Sequence, residues 1–313
     1  MKSLKSYQRL LLFLVLVLAL TSVLSPLMAL GAEWFRHAFS EISSEPFRFS
    51  RIFNRTFMIS GIVLFFACRR FLKFGKLAEL GIVGIRQGSR DLMVGWILAV
   101  GSTAVLIWGM SVSDIFDPYF RLSLWASLER CASALVAGIL VGFLEEIFFR
   151  GIFFKGLLEG GRRVRAFILA NFFYAALHFV KPGEPTYITQ LDPWAGLRHL
   201  FTTFQPFLDP LALLPGIFGL FLIGLVLSHA FTRTGNLFLS IGLHAGWIFA
   251  LKTIRVFGDY RREDLGWMFG ATDPKIVSGV ITWLGLIIVG LAVHWITRNR
   301  SRLFSDRQPL KEG

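Results

Sequence analysis

Two adjacent carboxylates lie inside an apolar stretch of the chain. They are Glu145 and Glu146, in the segment Gly142–Gly151 with the sequence GFLEEIFFRG. A charge at the centre of a bilayer costs at least about 2.5 to 3.5 kcal/mol, so carboxylates at that depth normally face a bundle interior or a wet cavity and serve function. These two residues are therefore the first candidates for chemistry.

The position of Arg150 predicts different roles for the two carboxylates. On a helix Glu146 and Arg150 are four residues apart in the favourable order and can pair, whereas Glu145 is turned away by about 100 degrees. We expect Glu146 to be neutralised by the pair and Glu145 to remain for chemistry. An ion pair that only fixes helix packing is the alternative for Glu146 and Arg150, but it does not explain Glu145.

Two of the six histidines are predicted to lie at the depth of Glu145. Counted by helical rise from the nearest basic residue on one side, Glu145 lies about 15 Å deep, His178 about 20 Å and His244 about 16 Å. The remaining histidines fall in loops or near the interface and are excluded: His37, His199, His229 and His294. One carboxylate and two imidazoles at a common depth predict a polar site shared by three helices.

Two kinds of chemistry suit this set of side chains. Glu145, His178 and His244 could hold one divalent metal ion, with zinc the most suitable, which would lower the pKa of a bound water towards about 7. Without metal, Glu145 could act as general base to a water while the histidines stabilise the oxyanion. Both alternatives stay open at this stage.

The elements that must position these residues are membrane helices. The chain has 313 residues, 54% of them apolar, and a mean hydropathy of +0.61, which exceeds what one soluble domain would bury. Run length and flanking charge predict an all-α, polytopic helix bundle of about eight transmembrane helices, in a single transmembrane domain over residues 1–313. The predicted spans are Leu10–Leu30, Phe57–Cys68, Leu92–Met110, Cys131–Leu158, Ala166–Val180, Leu211–Phe231, Leu237–Leu251 and Ile276–Ile296.

Net charge is +13, but the basic residues sit in the gaps between apolar runs. This distribution is typical of membrane-protein loops, so we expect a lipid bilayer and no nucleic acid as partner. The bias of Lys and Arg predicts a multi-pass protein with both termini in the cytosol. The first apolar run, of about 21 residues, is longer than the roughly 7 to 15 residues of a signal-peptide core, so we expect an uncleaved first helix. The last outer loop, Lys252–Lys275, departs from the positive-inside rule with five basic residues.

At the paired glutamates the sequence resembles the CPBP family of intramembrane proteases. This family includes the CAAX-processing Ras-converting enzyme and bacterial abortive-infection or bacteriocin-immunity homologues. Its motif E-E-x-x-x-R-G is matched in full by Glu145, Glu146, Arg150 and Gly151. The resemblance implies an integral protein of the bacterial cytoplasmic (inner) membrane.

The two other family motifs are matched less completely. The motif F-x-x-x-H becomes Tyr174 followed by His178. The third motif, a histidine with Asn or Asp four positions later, keeps His244 but has Ile248 at the last position. All three motifs lie in a core over residues 131–251.

The resemblance implies a role for each matched residue. Glu145 would activate the attacking water, Glu146 and Arg150 would support it, and His178 and His244 would complete a metal or oxyanion site. The implied substrate is a membrane-associated protein or peptide. If the family chemistry is glutamic in type, no metal would be needed.

Ile248 bears directly on activity, because isoleucine can neither ligate nor donate. A nearby polar group, Asn171, Tyr174 or Ser240, could substitute, or the site could be weakened or inactive. Two functions from other classes therefore compete with the endopeptidase. They are a catalytically inactive membrane scaffold of the same fold, and a proton-coupled transporter with a Glu and His relay, which the lack of duplicated halves disfavours.

Overall fold

The computed structural model describes residues 6–38, 47–72, 77–159, 162–180, 186–262, 265–270 and 276–300. Within these ranges the chain is almost entirely helical, with a single two-stranded ribbon. The helices are α1 Ser6–Ala38, α2 Phe49–Cys68, α3 Ile85–Val112, α4 Leu124–Glu146, α5 Lys155–Leu158, α6 Arg163–Leu177, α7 Ala195–Thr202, α8 Pro210–Thr234, α9 Phe238–Thr253, α10 Gly266–Phe269 and α11 Val280–Ile296.

The predicted all-α membrane bundle is confirmed, but the count of eight spans is not. Five helical stretches among the described residues are long and apolar enough to cross a bilayer: Gln8–Ala38, Phe49–Cys68, Ile85–Val112, Leu124–Leu158 and Pro210–Thr234. The helices α6, α9 and α11 have 15, 16 and 17 residues. They are shorter than the roughly 20 residues that a full crossing needs, so these three predicted spans stay unconfirmed.

The chain divides into two compact units. The first comprises Met1–Gly75, Gly156–Arg162 and Ala176–Leu214, and the second comprises Lys76–Lys155, Arg163–Ala175 and Pro215–Gly313. In the first unit α1 packs against α2 and α7. Gly196 of α7 allows close approach, since a Cβ there would lie 2.0 Å from the carbonyl oxygen of Ser22 on α1.

The second unit is built around α9, which packs against both α3 and α4. The seam between α3 and α9 is a backbone contact. A Cβ on Gly95 would lie 2.4 Å from the carbonyl oxygen of Leu239, and one on Gly242 would lie 2.1 Å from that of Leu92. Small residues are what let membrane helices approach so closely, so these glycines set the position of α9.

The two ends of α9 are also fixed by polar contacts. Before the helix, Asn236 Oδ1 accepts from the backbone N–H of Phe238, and Asn236 Nδ2 donates to Asp91 of α3 at 3.0 Å. After it, strand β2 (Gly258–Tyr260) pairs antiparallel with strand β1 (Phe116–Pro118), which follows α3. Both ends of α9 are thereby tied to those of α3.

Candidate active site

The helix that carries the paired glutamates changes its winding at them. The helix α4 ends at Glu146 and continues as a π-helical segment over Ile147–Phe154, then as α5. Seven of the eight residues of this segment are buried. Wider π turns are uncommon and occur frequently at functional sites. Here the segment carries Arg150 into the protein interior.

Glu146 is the centre of the buried polar cluster. Its side chain is fully buried, and its Oε1 accepts a hydrogen bond from Arg150 Nη1 at 3.0 Å. The same oxygen lies 2.8 Å from His244 Nδ1 of α9. A carboxylate paired with arginine can only accept, so we assign the ring hydrogen of His244 to Nδ1.

Arg150 is held from two further helices. Its Nη2 donates to the carbonyl oxygen of Gly224 on α8 at 3.3 Å. The guanidinium carbon lies 4.4 Å from the ring centroid of Tyr174 on α6, a cation–π contact. With an exposure of 1%, Arg150 is buried, and both of its terminal nitrogens have partners, as a buried charge requires. Its Nε has no hydrogen-bond partner among the described residues.

Glu145 faces the other nitrogen of the same histidine. Its Oε2 lies 3.7 Å from His244 Nε2, and its side chain is 14% exposed. This distance is too long for a direct hydrogen bond but suits a shared water. The imidazole of His244 therefore lies between two carboxylates, one on each nitrogen.

A pair of glycines on α4 brings the histidine to the glutamates. A Cβ on Gly138 would lie 2.7 Å from the carbonyl oxygen of Ala245, and one on Gly142 would lie 3.1 Å from the amide nitrogen of Ala245. These positions are one turn apart and lead directly to Glu146. Their spacing is the small-xxx-small pattern that could have predicted this contact from the sequence.

Two of the polar residues proposed to replace the missing motif group are engaged elsewhere. Asn171 Nδ2 donates to the carbonyl oxygen of Phe167, and Asn171 Oδ1 accepts from Ser228 Oγ at 2.9 Å. Ser240 Oγ donates to the carbonyl oxygen of Leu237 at 2.9 Å. The Asn171 contact ties α6 to α8, whereas the Ser240 hydrogen bond stays within the first turn of α9.

Tyr174 is the one of the three that contacts the cluster directly. Besides its contact with Arg150, its ring meets that of His244 edge to face with centroids 6.1 Å apart. Ile248 is half-buried on α9, four residues after His244. The sequence pattern gave no sign of the contact between Tyr174 and Arg150 or of the Gly224 carbonyl, since both depend on tertiary packing.

The structure brings four of the five candidate residues together: Glu145, Glu146, Arg150 and His244. His178 lies in the turn that follows α6 and is half-buried. It belongs to the first compact unit, whereas the other four belong to the second. The role of His178 at the site stays a prediction.

The cluster offers an incomplete set of ligands for a catalytic zinc. Glu145 Oε2 and His244 Nε2 are suitable donors, and the Glu146 contact to Nδ1 is the carboxylate–histidine arrangement found behind metal ligands. Catalytic zinc normally has three protein ligands. No group of three His, Cys, Asp or Glu with metal-binding geometry occurs among the described residues. The two donors do not form a zinc site by themselves.

Comparison with known proteins gives one match. Residues 127–250 match the family described as type II CAAX prenyl endopeptidase Rce1-like. That range contains all the candidate site residues and Ile248, and it nearly coincides with the core expected over residues 131–251. No match was found among curated proteins or among solved structures.

Proposed function

The match over residues 127–250 confirms the resemblance to the CPBP family of CAAX-type intramembrane endopeptidases, and from this premise we propose that the chain hydrolyses peptide bonds of membrane-associated proteins or peptides with Glu145 as general base. The observation that carries the proposal is the position of His244 between two carboxylates. Glu146 Oε1 lies 2.8 Å from one ring nitrogen and Glu145 Oε2 lies 3.7 Å from the other.

The gap between Glu145 and His244 suits the attacking water. With the ring hydrogen on Nδ1, both Glu145 Oε2 and His244 Nε2 are acceptors, and one water can donate a hydrogen bond to each. Its lone pair is then directed at the substrate carbonyl carbon. As the C–O bond forms, the water proton passes to Glu145, which returns it to the leaving amine when the C–N bond breaks.

Glu146 and Arg150 support this step without touching the substrate. The carboxylate of Glu146 fixes the tautomer and orientation of His244, and Arg150 balances the charge of Glu146. They are positioning residues in this mechanism. By the family resemblance His178 completes the site as an oxyanion donor or as the third ligand of a zinc ion.

Zinc remains a proposal beside the glutamic mechanism. If bound, it would supply a water of lowered pKa and polarise the carbonyl. A catalytically inactive scaffold is the second candidate function, because Ile248 supplies no polar group where the family motif has Asn or Asp.

The deciding experiment is proteolysis by the purified full chain in detergent or lipid nanodiscs, with a panel of membrane-anchored peptides. We expect cleavage by the wild type, none by Glu145→Gln, and wild-type rates for Glu129→Gln, which removes an exposed carboxylate from the same helix. Loss of activity on adding a zinc chelator, with recovery on adding zinc, would select the metal mechanism. Full activity of Glu145→Gln would refute the general base, and a wild type that cleaves nothing would favour the scaffold.

A further inference from the structure

A second polar site lies away from the glutamates, where α4 begins and α9 ends. A cavity of about 530 Å³ opens there, lined by four basic side chains and one acidic one. The charged lining residues are Arg121, Arg130, Lys252, Arg255 and Glu129. So many cations around one concave surface require a source of negative charge, which neighbouring residues supply only in part.

One protein carboxylate, that of Asp259, pairs with two of the four cations. Asp259 of β2 accepts from Arg255 at 2.8 Å and pairs with Arg121 at 3.2 Å. These contacts lower the pKa of Asp259, chiefly through the hydrogen bond from Arg255, and keep it ionised. Arg130 and Lys252 make no ion pair with any described residue, and both are exposed. Even with Glu129 counted, the pocket keeps an excess of positive charge.

Exposed aromatic side chains surround the same end of the bundle. Trp125 is 78% exposed and Phe120 is 79% exposed, and the ring of Phe120 packs against that of Phe257 with centroids 6.0 Å apart. Aromatic side chains of this kind concentrate where a membrane protein meets the lipid headgroups. If these aromatic side chains mark the headgroup level, the basic pocket lies within reach of lipid phosphates.

The sequence carries an independent sign of the same site. Lys252, in the last turn of α9, and Arg255 belong to the segment Lys252–Lys275. In the predicted orientation, the five basic residues of this segment depart from the positive-inside rule. Basic residues on that side oppose the usual orientation signal. A need for positive charge in this pocket would explain why Lys252 and Arg255 lie on that side.

We propose that this pocket binds the phosphate-bearing headgroup of an anionic phospholipid. Arg130 and Lys252 would contact the phosphate, and Arg121 and Arg255, oriented by Asp259, would line the wall of the pocket. The acyl chains would lie in the adjoining leaflet beside Trp125. This site is separate from the proposed peptidase chemistry and does not depend on it.

The test compares two lipids with the same acyl chains on the full chain purified in a zwitterionic detergent. Phosphatidylglycerol should raise the melting temperature and be retained in native mass spectrometry, whereas phosphatidylcholine should do neither. Since each surface cation adds about 1 kcal/mol of attraction, the double variant Arg130→Gln, Lys252→Gln should bind phosphatidylglycerol about tenfold or more weakly. The matched variant Arg86→Gln, Arg90→Gln removes two exposed cations from the start of α3 and should bind as the wild type does.

Four results would overturn the proposal. One is an equal loss of phosphatidylglycerol binding in both double variants. Another is full phosphatidylglycerol binding both by the double variant Arg130→Gln, Lys252→Gln and by the single variant Lys252→Gln. The third is an equal melting shift with inorganic phosphate alone, lost in the pocket variant, which would assign the site to free phosphate. Displacement of phosphatidylglycerol by a soluble acidic peptide at lower concentration would likewise assign it to a protein partner.

Discussion

Glu146 and Arg150 form an ion pair in which both side chains are buried. The pair could be predicted from their spacing of four residues, and the structure has it at 3.0 Å. The contact of Glu146 with His244 could not be predicted, since the residues are 98 positions apart. The depths counted by helical rise predicted that Glu145 and His244 lie at the same level. They could not predict which carboxylate faces which ring nitrogen of His244.

Replacing Arg150 by alanine should strongly destabilise the protein. Removing one partner of a buried ion pair leaves an uncompensated charge and costs about 3 to 5 kcal/mol. We expect a clear fall in melting temperature and in the yield of folded protein. Arg90→Ala, which removes an exposed arginine of α3, should leave both near the wild-type values. Equal stability of the two variants would contradict the role given to Arg150.

Ile248→Asn tests whether the third motif has been lost or replaced. If the site is attenuated, restoring the amide should raise the cleavage rate, since one oxyanion donor can contribute about a hundredfold or more. If Tyr174 has taken over the role, the new amide would be a half-buried polar group without a partner and should cost about 1 kcal/mol of stability without a gain in rate. Cleavage rate and melting temperature distinguish these outcomes, and Tyr174→Phe should lower the rate only in the second case.

At the scale of elements, the seam between α4 and α9 carries the site. The apolar runs predicted both helices. The length of an apolar run does not show how many residues each helical turn contains, so the π-helical segment Ile147–Phe154 could not be predicted. Run length also treated α9 as a full span, although it has 16 residues. Most of these are buried against protein, and a helix sheltered by neighbours does not need to cover the bilayer by itself.

Gly138→Val should separate α9 from α4 and abolish the proposed peptidase activity. Its Cβ would lie 2.7 Å from the carbonyl oxygen of Ala245, so the backbone of α9 must shift. Overpacking costs about 1 to 3 kcal/mol, and a shift of 1 Å at a catalytic group can cost about a hundredfold in rate. Gly101→Val on α3, where a Cβ meets nothing within 4 Å, is the control. Activity retained by Gly138→Val would show that the seam does not position His244.

At the scale of the whole molecule, composition and hydropathy were sufficient to predict the all-α membrane class. All three motifs lie inside the segment that matches the family, residues 127–250. The division into two compact units was not predicted, because hydropathy says where a helix lies and not which helices it packs with. Orientation in the membrane remains a prediction from charge bias.

The first unit should lose stability in mild acid. His199 of α7 is 4% exposed, and its ring lies between those of Phe49 and Phe53, at centroid distances of 5.0 and 4.8 Å. Burial lowers its pKa from 6.5 to about 4. Between these values the unfolded chain binds a proton that the folded unit does not, so stability should fall as pH drops from about 6.5 to about 4.

Melting temperatures measured from pH 7.5 to pH 4.5 would check this expectation. His199→Phe should flatten the profile in that range, because the replacement keeps an aromatic ring and cannot be protonated. His37→Gln, which removes an exposed histidine, should leave the slope unchanged. A slope that persists in His199→Phe would assign the pH dependence to another group.

The close glycine contacts of α9 restrict the path by which a substrate can reach His244 from the lipid. On one side Gly242 abuts the backbone of Leu92, and on the other Gly138 abuts that of Ala245, with less than the width of a methyl group to spare. No peptide strand or acyl chain fits through either seam. If the proposed substrate enters from the lipid, it must therefore take a path other than these two seams, and spin labels or cross-links across the α3–α9 and α4–α9 seams should report no movement when substrate binds.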